Sequence, residues 1–236
     1  LLRFDFVVFQ QNLFGHELQF AAFLMPLAVL AILVGSAVAM YESSVKRLLA
    51  YSSVAQIGYI LLGASLVSLG GLSASLLHMF NHALAKGALF MAVMGLAMSY
   101  SRLDLKDLGG AARHMPWTMA ALVVAGLSLI GVPGTAGFIS KWYLVAAVLD
   151  EGILGLALVA VIVAGSLMAV VYIWRIVEAA WFAEEAADAP AIREAPAPML
   201  AVIWLAALAN IYFGLVTELP RELATGAAES LLGHLR

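Results

Sequence analysis

Apolar residues in this chain come in long blocks separated by short polar stretches. The blocks lie at about 18–40, 48–68, 74–100, 117–149, 152–182 and 199–216. A helix needs about 20 apolar residues to cross a bilayer core. Hydrocarbon offers no partners to free backbone groups, so such blocks cross as helices. The pattern therefore predicts an all-α, multi-span transmembrane helix bundle of about six spans.

The fourth block differs from the others. It holds 33 residues from Trp117 to Leu149, more than one crossing needs. Its centre reads LSLIGVPGTAGFISK and carries Gly131, Pro133, Gly134 and Gly137. Proline removes a backbone donor and clashes with the preceding turn. One discontinuous helix around Gly131–Gly137 is expected, with its freed backbone groups satisfied by protein or by a water-filled cavity. Lys141 stands just past the break, deep in apolar sequence. A broken membrane helix beside an ionisable group is a pattern of ion-carrying proteins.

Composition supports the membrane reading. The chain is 64% hydrophobic and 11% charged, where soluble domains carry roughly 25% charged residues. Net charge is −3, which gives no reason to expect a nucleic-acid partner. There is no cysteine, which excludes disulfides, iron–sulfur clusters and thiolate metal sites within the chain. No metal site and no cofactor are expected. No nucleophile–base constellation or nucleotide loop is visible, so the chain reads as a transporter subunit rather than an enzyme. No signal peptide is seen, and the start at Leu1 rather than Met suggests a processed chain or a fragment.

Four sections are expected along the chain. Residues 1–17 form the tail of an earlier span or an interfacial segment. Residues 18–182 form a five-span bundle, 183–198 a cytoplasmic loop rich in acids, Ala and Pro, and 199–236 the last span with a C-terminal tail able to form a surface helix. Lys and Arg in the loops set orientation. Lys46, Arg47, Arg102, Lys106, Arg113 and Arg193 fall on one side, the cytoplasmic candidate. The N-terminal segment and the C-terminus then lie outside, in a multi-pass protein of the cell (inner) membrane.

The third block carries the densest polar signal. His78, His82 and Lys86 in HMFNHALAKGALF are spaced four apart. Such residues rotate by about 40° per step and share one helix face over about 12 Å. Asn81 sits close to that face. Histidine passes protons near neutral pH, so the ladder suits a proton relay. The plainer reading is interhelical hydrogen bonding, which three ionisable groups in register make less fitting. A mid-membrane Lys costs about 2.5–3.5 kcal/mol on insertion scales, and a structural role rarely needs one. Of the four lysines, 46, 86, 106 and 141, two lie mid-span. Lys141 is too deep for comfortable snorkelling, which favours a water-filled cavity over an interfacial anchor.

The second block offers Ser52, Gln56, Tyr59 and Gly63 on one stripe, with Ser53 beside it. This stripe either supplies hydroxyls to the ladder or makes ordinary interhelical hydrogen bonds. Lys46 and Arg47 read mainly as interface anchors. Arg175 and Glu178 are spaced to pair with each other, and Tyr172, Trp174 and Trp181 suggest an interfacial belt. Asp150/Glu151 and Glu184/Glu185 read as solvated loop residues.

Four stretches, KRLLAYSSVAQIGY, HMFNHALAKGALF, DLKDLGGAARHMP and SLIGVPGTAGFISKWYL, together resemble the antiporter-like subunits shared by respiratory complex I and Mrp-type multisubunit cation/proton antiporters. The resemblance runs from about residue 20 to 182. The ladder looks most like that of the D-type subunit of the Mrp antiporters; the N-type subunit of complex I usually lacks it. The resemblance implies a protein of about fourteen spans, built from two inverted five-helix repeats that each hold a broken helix. This chain matches the C-terminal part. By that match Lys141 is the ionisable residue of the second broken helix. Lys86, His82 and His78 match the central ladder, and Lys46 the lysine of KRLLAYSS. The glutamate–lysine pair of the first repeat has no counterpart here.

The first functional expectation is thus a proton-translocating subunit of a sodium/proton antiporter, with protons, Na+, the lipid bilayer and other membrane subunits as partners. The alternative is a proton-pumping subunit of a redox complex, an NADH-quinone oxidoreductase or membrane-bound hydrogenase, whose redox chemistry lies in other subunits. A retinal protein with a Schiff-base lysine and an inert packing scaffold are the remaining readings.

Overall fold

The computed structural model describes residues 20–100, 102–185 and 192–233, with side chains from residue 23 onward. The expected section at 1–17 therefore lies outside the described residues. Nine α-helices follow one another within them: α1 Phe20–Tyr41, α2 Val45–Ser65, α3 Leu69–Ser99, α4 Ala111–His114, α5 Pro116–Ile130, α6 Ala136–Leu149, α7 Ile153–Trp181, α8 Ala197–Leu215 and α9 Glu218–Gly233. Five of them, α1, α2, α3, α7 and α8, are long and apolar enough to cross a membrane alone. The shorter apolar helices α5 and α6 lie on either side of the break expected in the fourth block.

Small residues let the helices approach closely. α1 lies against α2 through Gly35 and Gly58. A side chain added at Gly35 would sit 2.8 Å from the Ala55 nitrogen, and one at Gly58 2.8 Å from the Ile32 nitrogen. α2 is central, with 61% of its apolar window buried, against 28% for α7 and 22% for α8. The apolar faces that α7 and α8 leave exposed, such as Leu167, Val170, Leu205 and Leu208, suit hydrocarbon.

Buried apolar residues fall into two main clusters. One joins α1, α2, α3, α5, α7 and α8 and includes Leu48, Leu89, Leu96, Met119, Ile176 and Ile203. The other lies toward the opposite side and includes Ile32, Leu62, Leu144, Leu158 and Ile162. Between them runs a band of buried polar residues: Ser52, Gln56, His78, Asn81, Ser140 and the two lysines 86 and 141.

The loops on the side of the 42–44 turn are tied to one another. Val45 N–H donates to Leu103 O at 2.8 Å, and Leu105 N–H to Ser43 O at 2.9 Å. The Glu42 carboxylate accepts from Ser43 and Ser44 N–H at 3.0 and 3.2 Å and pairs with Arg47 at 3.0 Å. The Ser44 N–H bond is the chief reason the Glu42 carboxyl is held below its ordinary pKa. Glu194 caps α5 by accepting from Trp117 N–H and the Thr118 hydroxyl at 2.9 and 2.5 Å.

Several expectations change here. Arg175 does not pair with Glu178. Its Nη1 donates to the backbone oxygens of Met40 and Glu42, and Glu178 is exposed. The free carbonyls at the end of α1 are better partners for a guanidinium than a solvated carboxylate on the next turn. Tyr172 is fully buried and belongs to no interfacial belt, although Trp174 and Trp181 are exposed. Glu185 is not merely solvated, since it meets His114 at 3.1 Å. The C-terminal tail forms α9, whose Ala228 buries against Leu72 of α3.

Candidate functional site

The break in the fourth block positions the site. α5 ends at Gly131, which takes φ 91°, a left-handed conformation that glycine adopts without a Cβ penalty. Gly131 N–H donates to Ser128 O at 3.1 Å, and Val132 N–H donates to Leu127 O at 3.0 Å. These are the two bonds of a Schellman end. A helix end leaves four carbonyls free, and this motif satisfies those of Leu127 and Ser128. The other two, Leu129 O and Ile130 O, accept from Lys141 Nζ at 3.1 and 2.9 Å. Lys141 thus closes the end of the half-helix that precedes it, where the helix dipole favours a cation.

Pro133 and Gly134 lie in the connecting turn, and Gly134 also has positive φ. Gly137 does not. It sits in the first turn of α6, and a side chain there would overlap the Ser128 carbonyl. Its role is close approach of the two half-helices, reinforced by Gly137 N–H donating to Ser128 Oγ at 3.1 Å. Asn81 holds the start of α6 from α3, its Nδ2 donating to Ala136 O at 2.6 Å. Gly214 of α8 packs against the backbone of Gly134 and Thr135 and covers the turn.

From Lys141 a string of polar groups leads across the band. Its third donor reaches Ser166 Oγ on α7 at 2.9 Å, and its Nζ lies 4.7 Å from the centre of the Tyr59 ring. That ring meets His78 edge to face at 5.4 Å. His78 contacts Gln56 Oε1 through Nε2 at 3.1 Å and Ser140 Oγ through Nδ1 at 2.9 Å. His82 stacks on His78 with centroids 6.4 Å apart. One turn on, Lys86 Nζ donates to Leu49 O at 2.6 Å and to Ser52 Oγ, with the Phe90 ring 5.5 Å away.

The chemistry of this string follows from its partners. Among the described residues neither buried lysine pairs with a carboxylate; all their acceptors are neutral oxygens. With Gln56 Oε1 facing it, Nε2 of a neutral His78 carries the proton, so Nδ1 accepts from the Ser140 hydroxyl. A protonated His78 instead donates to Ser140 Oγ, whose hydrogen turns to Gly137 O at 3.2 Å. One hydroxyl rotation therefore satisfies both charge states.

The family profile described as NADH:quinone oxidoreductase/Mrp antiporter, TM matches residues 4–168. The chain belongs to this family. NADH-quinone oxidoreductase subunit N of Desulforudis audaxviator is 40% identical over 204 residues, covering 81% of this chain and 40% of that protein. Among solved structures, a chain of the Mrp complex from Dietzia sp. matches with a TM-score of 0.81 at 25% identity, over 90% of this chain and 47% of that one. A chain of the membrane-bound sulfane sulfur reductase, an archaeal respiratory membrane complex, matches with a TM-score of 0.74 at 37% identity, over 83% and 32%. The chain thus spans less than half the length of these relatives.

The structure brings together Lys141, Lys86, His82, His78, Gln56, Tyr59, Ser52 and Asn81, and it leaves Lys46 apart. Lys46 is exposed at the start of α2. As members of the site, sequence reasoning missed Ser128, Ser140 and Ser166. Ser128 and Ser140 stand in the motif SLIGVPGTAGFISK, where a search for hydroxyls beside the break would have found them. Ser166 lies in the apolar run of α7 and shares no spacing with the other site residues.

Proposed function

We propose that this chain is the proton-carrying part of an antiporter-like membrane subunit, and that protons move between Lys141 and Lys86 by way of His78 and His82. One observation carries the reading. Two mid-membrane lysines without carboxylate partners among the described residues are joined by titratable and hydroxyl side chains through an otherwise apolar core. A lysine locked to a carboxylate would be fixed in charge, whereas neutral oxygens accept an amine or an ammonium. Ser52, Gln56, Tyr59 and Asn81 position the string, and the break at Gly131–Gly134 gives Lys141 its place.

Two homes fit such a subunit. Sequence identity of 40% with a complex I subunit N and 37% with a sulfane sulfur reductase chain supports a respiratory redox complex. The sodium/proton antiporter reading is the second, supported by the match to the Mrp complex over 90% of the chain. In either home the chain works among other membrane subunits. The loop around Lys106 is proposed to face the cytoplasm and the turn at Glu151 the exterior, from the Lys and Arg bias.

The test uses the complete complex in vesicles. Lys86→Met and Lys141→Met should each lower proton transport more than about 10-fold while the complex assembles, the rate equivalent of about 1.4 kcal/mol. Normal transport in both would refute the relay. Flavin and iron–sulfur absorbance in the purified complex selects the redox home, and Na+-dependent dissipation of a pH gradient selects the antiporter. The chain has no native cysteine, so Lys106→Cys should label from the cytoplasmic side and Glu151→Cys from outside. The reverse pattern would invert the topology.

A further inference from the structure

Tyr59 of α2 is fully buried, and its two ends do different things. Its hydroxyl is spent on α7. It donates to Ile162 O at 3.3 Å and lies against Gly165, where a side-chain carbon would sit 2.3 Å from it. The hydroxyl therefore pins the ring in place rather than serving the polar string. The ring is what the string meets. Lys141 Nζ lies 4.7 Å from its centre, and His78 packs on it edge to face at 5.4 Å.

The contact with Lys141 is not a further hydrogen bond. An ammonium has three N–H donors, and Lys141 already directs them to Leu129 O, Ile130 O and Ser166 Oγ. What the ring offers is an electrostatic field. The face of an aromatic ring is negative and attracts a cation within about 6 Å of its centre, most strongly where water is excluded. A neutral amine gains little from it. Lys86 has a similar neighbour at longer range, with Nζ 5.5 Å from the centre of the Phe90 ring. Among the described residues neither buried lysine meets a carboxylate, and each meets an aromatic ring instead.

We propose that the face of the Tyr59 ring is a charge-selective hold on Lys141: it keeps the ammonium at the break and loses its grip when the proton moves on. Resting on the relay reading above, this role makes Tyr59 a positioning residue. It takes no proton, and none of its own bonds forms or breaks. The ring carries the role, and the hydroxyl only anchors it.

The test changes the electron density of the ring at nearly constant shape. In the complete complex, Tyr59 is replaced by phenylalanine and then by phenylalanines bearing increasing numbers of ring fluorines, each of which weakens the negative face. The unfolding temperature should fall stepwise along the series. The trend should vanish in a Lys141→Met background and fade as alkali neutralises the lysine. A flat series, or the same slope with Lys141→Met, would overturn the proposal. Proton transport is read beside it. Tyr59→Leu, which loses the aromatic face, should transport about 5-fold more slowly than Tyr59→Phe, which keeps it. Equal rates would overturn the role of the ring. If Tyr59→Leu does not assemble, the fluorinated series supplies the comparison: a stepwise fall in rate supports the hold, and equal rates along it refute it. If Lys141→Met transports normally, the relay reading falls and the proposal with it. If that variant is inactive while the fluorinated series is flat, only the role of the ring falls.

Discussion

Replacing each buried lysine by methionine should silence transport in both cases but move stability by different amounts. Methionine keeps an apolar stem and cannot titrate. Removing a mid-membrane charge recovers a similar part of about 2.5–3.5 kcal/mol at either site, so that gain largely cancels in the comparison. What remains is the fate of the acceptors. Around Lys86, Leu49 O keeps two serine hydroxyls and Ser52 keeps its own acceptor. No backbone carbonyl is orphaned, and Lys86→Met should be at least as stable as the parent. Around Lys141, Leu129 O and Ile130 O are the two carbonyls that the Schellman end leaves open, and both lose their donor. An orphaned buried acceptor costs about 1–3 kcal/mol in soluble proteins. Interhelical hydrogen bonds in a membrane average nearer about 0.6 kcal/mol. Lys141→Met should therefore be less stable than Lys86→Met by at least about 1 kcal/mol, the sum of two such bonds at the membrane value. Thermal unfolding of the two complexes in one detergent, beside proton transport in vesicles, measures both quantities. Equal stability of the two variants would refute the carbonyl-capping role of Lys141.

Three further outcomes are expected. Arg175→Met removes the clamp on the end of α1 and should destabilise by about 1–3 kcal/mol, whereas Glu178→Ala should leave stability unchanged; an equal loss in both would restore an Arg175–Glu178 pair. Gly137→Ala places a methyl on the Ser128 carbonyl, and the backbone shift it forces should cost about 1–3 kcal/mol or more, read as a lowered unfolding temperature; a neutral result would mean that the half-helices are not in close contact. The Glu42 carboxyl is more acidic folded than its ordinary value of 4.5, so its contribution is complete above that pH and fades as acid protonates the folded form. Unfolding temperatures of the parent and Glu42→Gln should differ at neutral pH and converge in acid below the ordinary carboxylate range, and parallel curves would remove the linkage.

The five long apolar helices are legible in the sequence because apolar block length answers directly to bilayer thickness. The break is legible because Gly131 and Pro133 act on the backbone locally. The shared face of His78, His82 and Lys86 is legible because the repeat of four residues is a property of one helix. Pairings between elements are not. Spacing offers Arg175 its neighbour Glu178, but the guanidinium finds the carbonyls of Met40 and Glu42, 135 and 133 residues away. Residue type makes Tyr172 interfacial, and only the packing of α7 on α2 shows it buried. Gly137 groups with the break by adjacency, although its function is contact rather than turning.

The largest change concerns how Lys141 is held at the break. From sequence, a structural lysine capping the broken helix and a functional lysine in a cavity are rivals. The geometry lets one residue be both. Two carbonyls left over from the Schellman end, and one serine hydroxyl, hold the amine at the break. None of these acceptors carries a full charge, so none of them fixes the charge of the lysine. A break that needed no capping would leave the amine without a defined position, and a carboxylate in place of the carbonyls would hold it permanently as a cation. A helix end with two spare acceptors avoids both. That gives a reason for placing the ionisable group in the second turn of the second half-helix: from Lys141 the side chain reaches back across the break to the last two carbonyls of the first half. Moving the lysine by one residue would turn it about 100° around α6, away from both acceptors. A Ser140→Lys, Lys141→Ser exchange, which keeps composition and charge, should therefore lose transport and destabilise the break together. Retention of both in that variant would show that position on α6 does not matter.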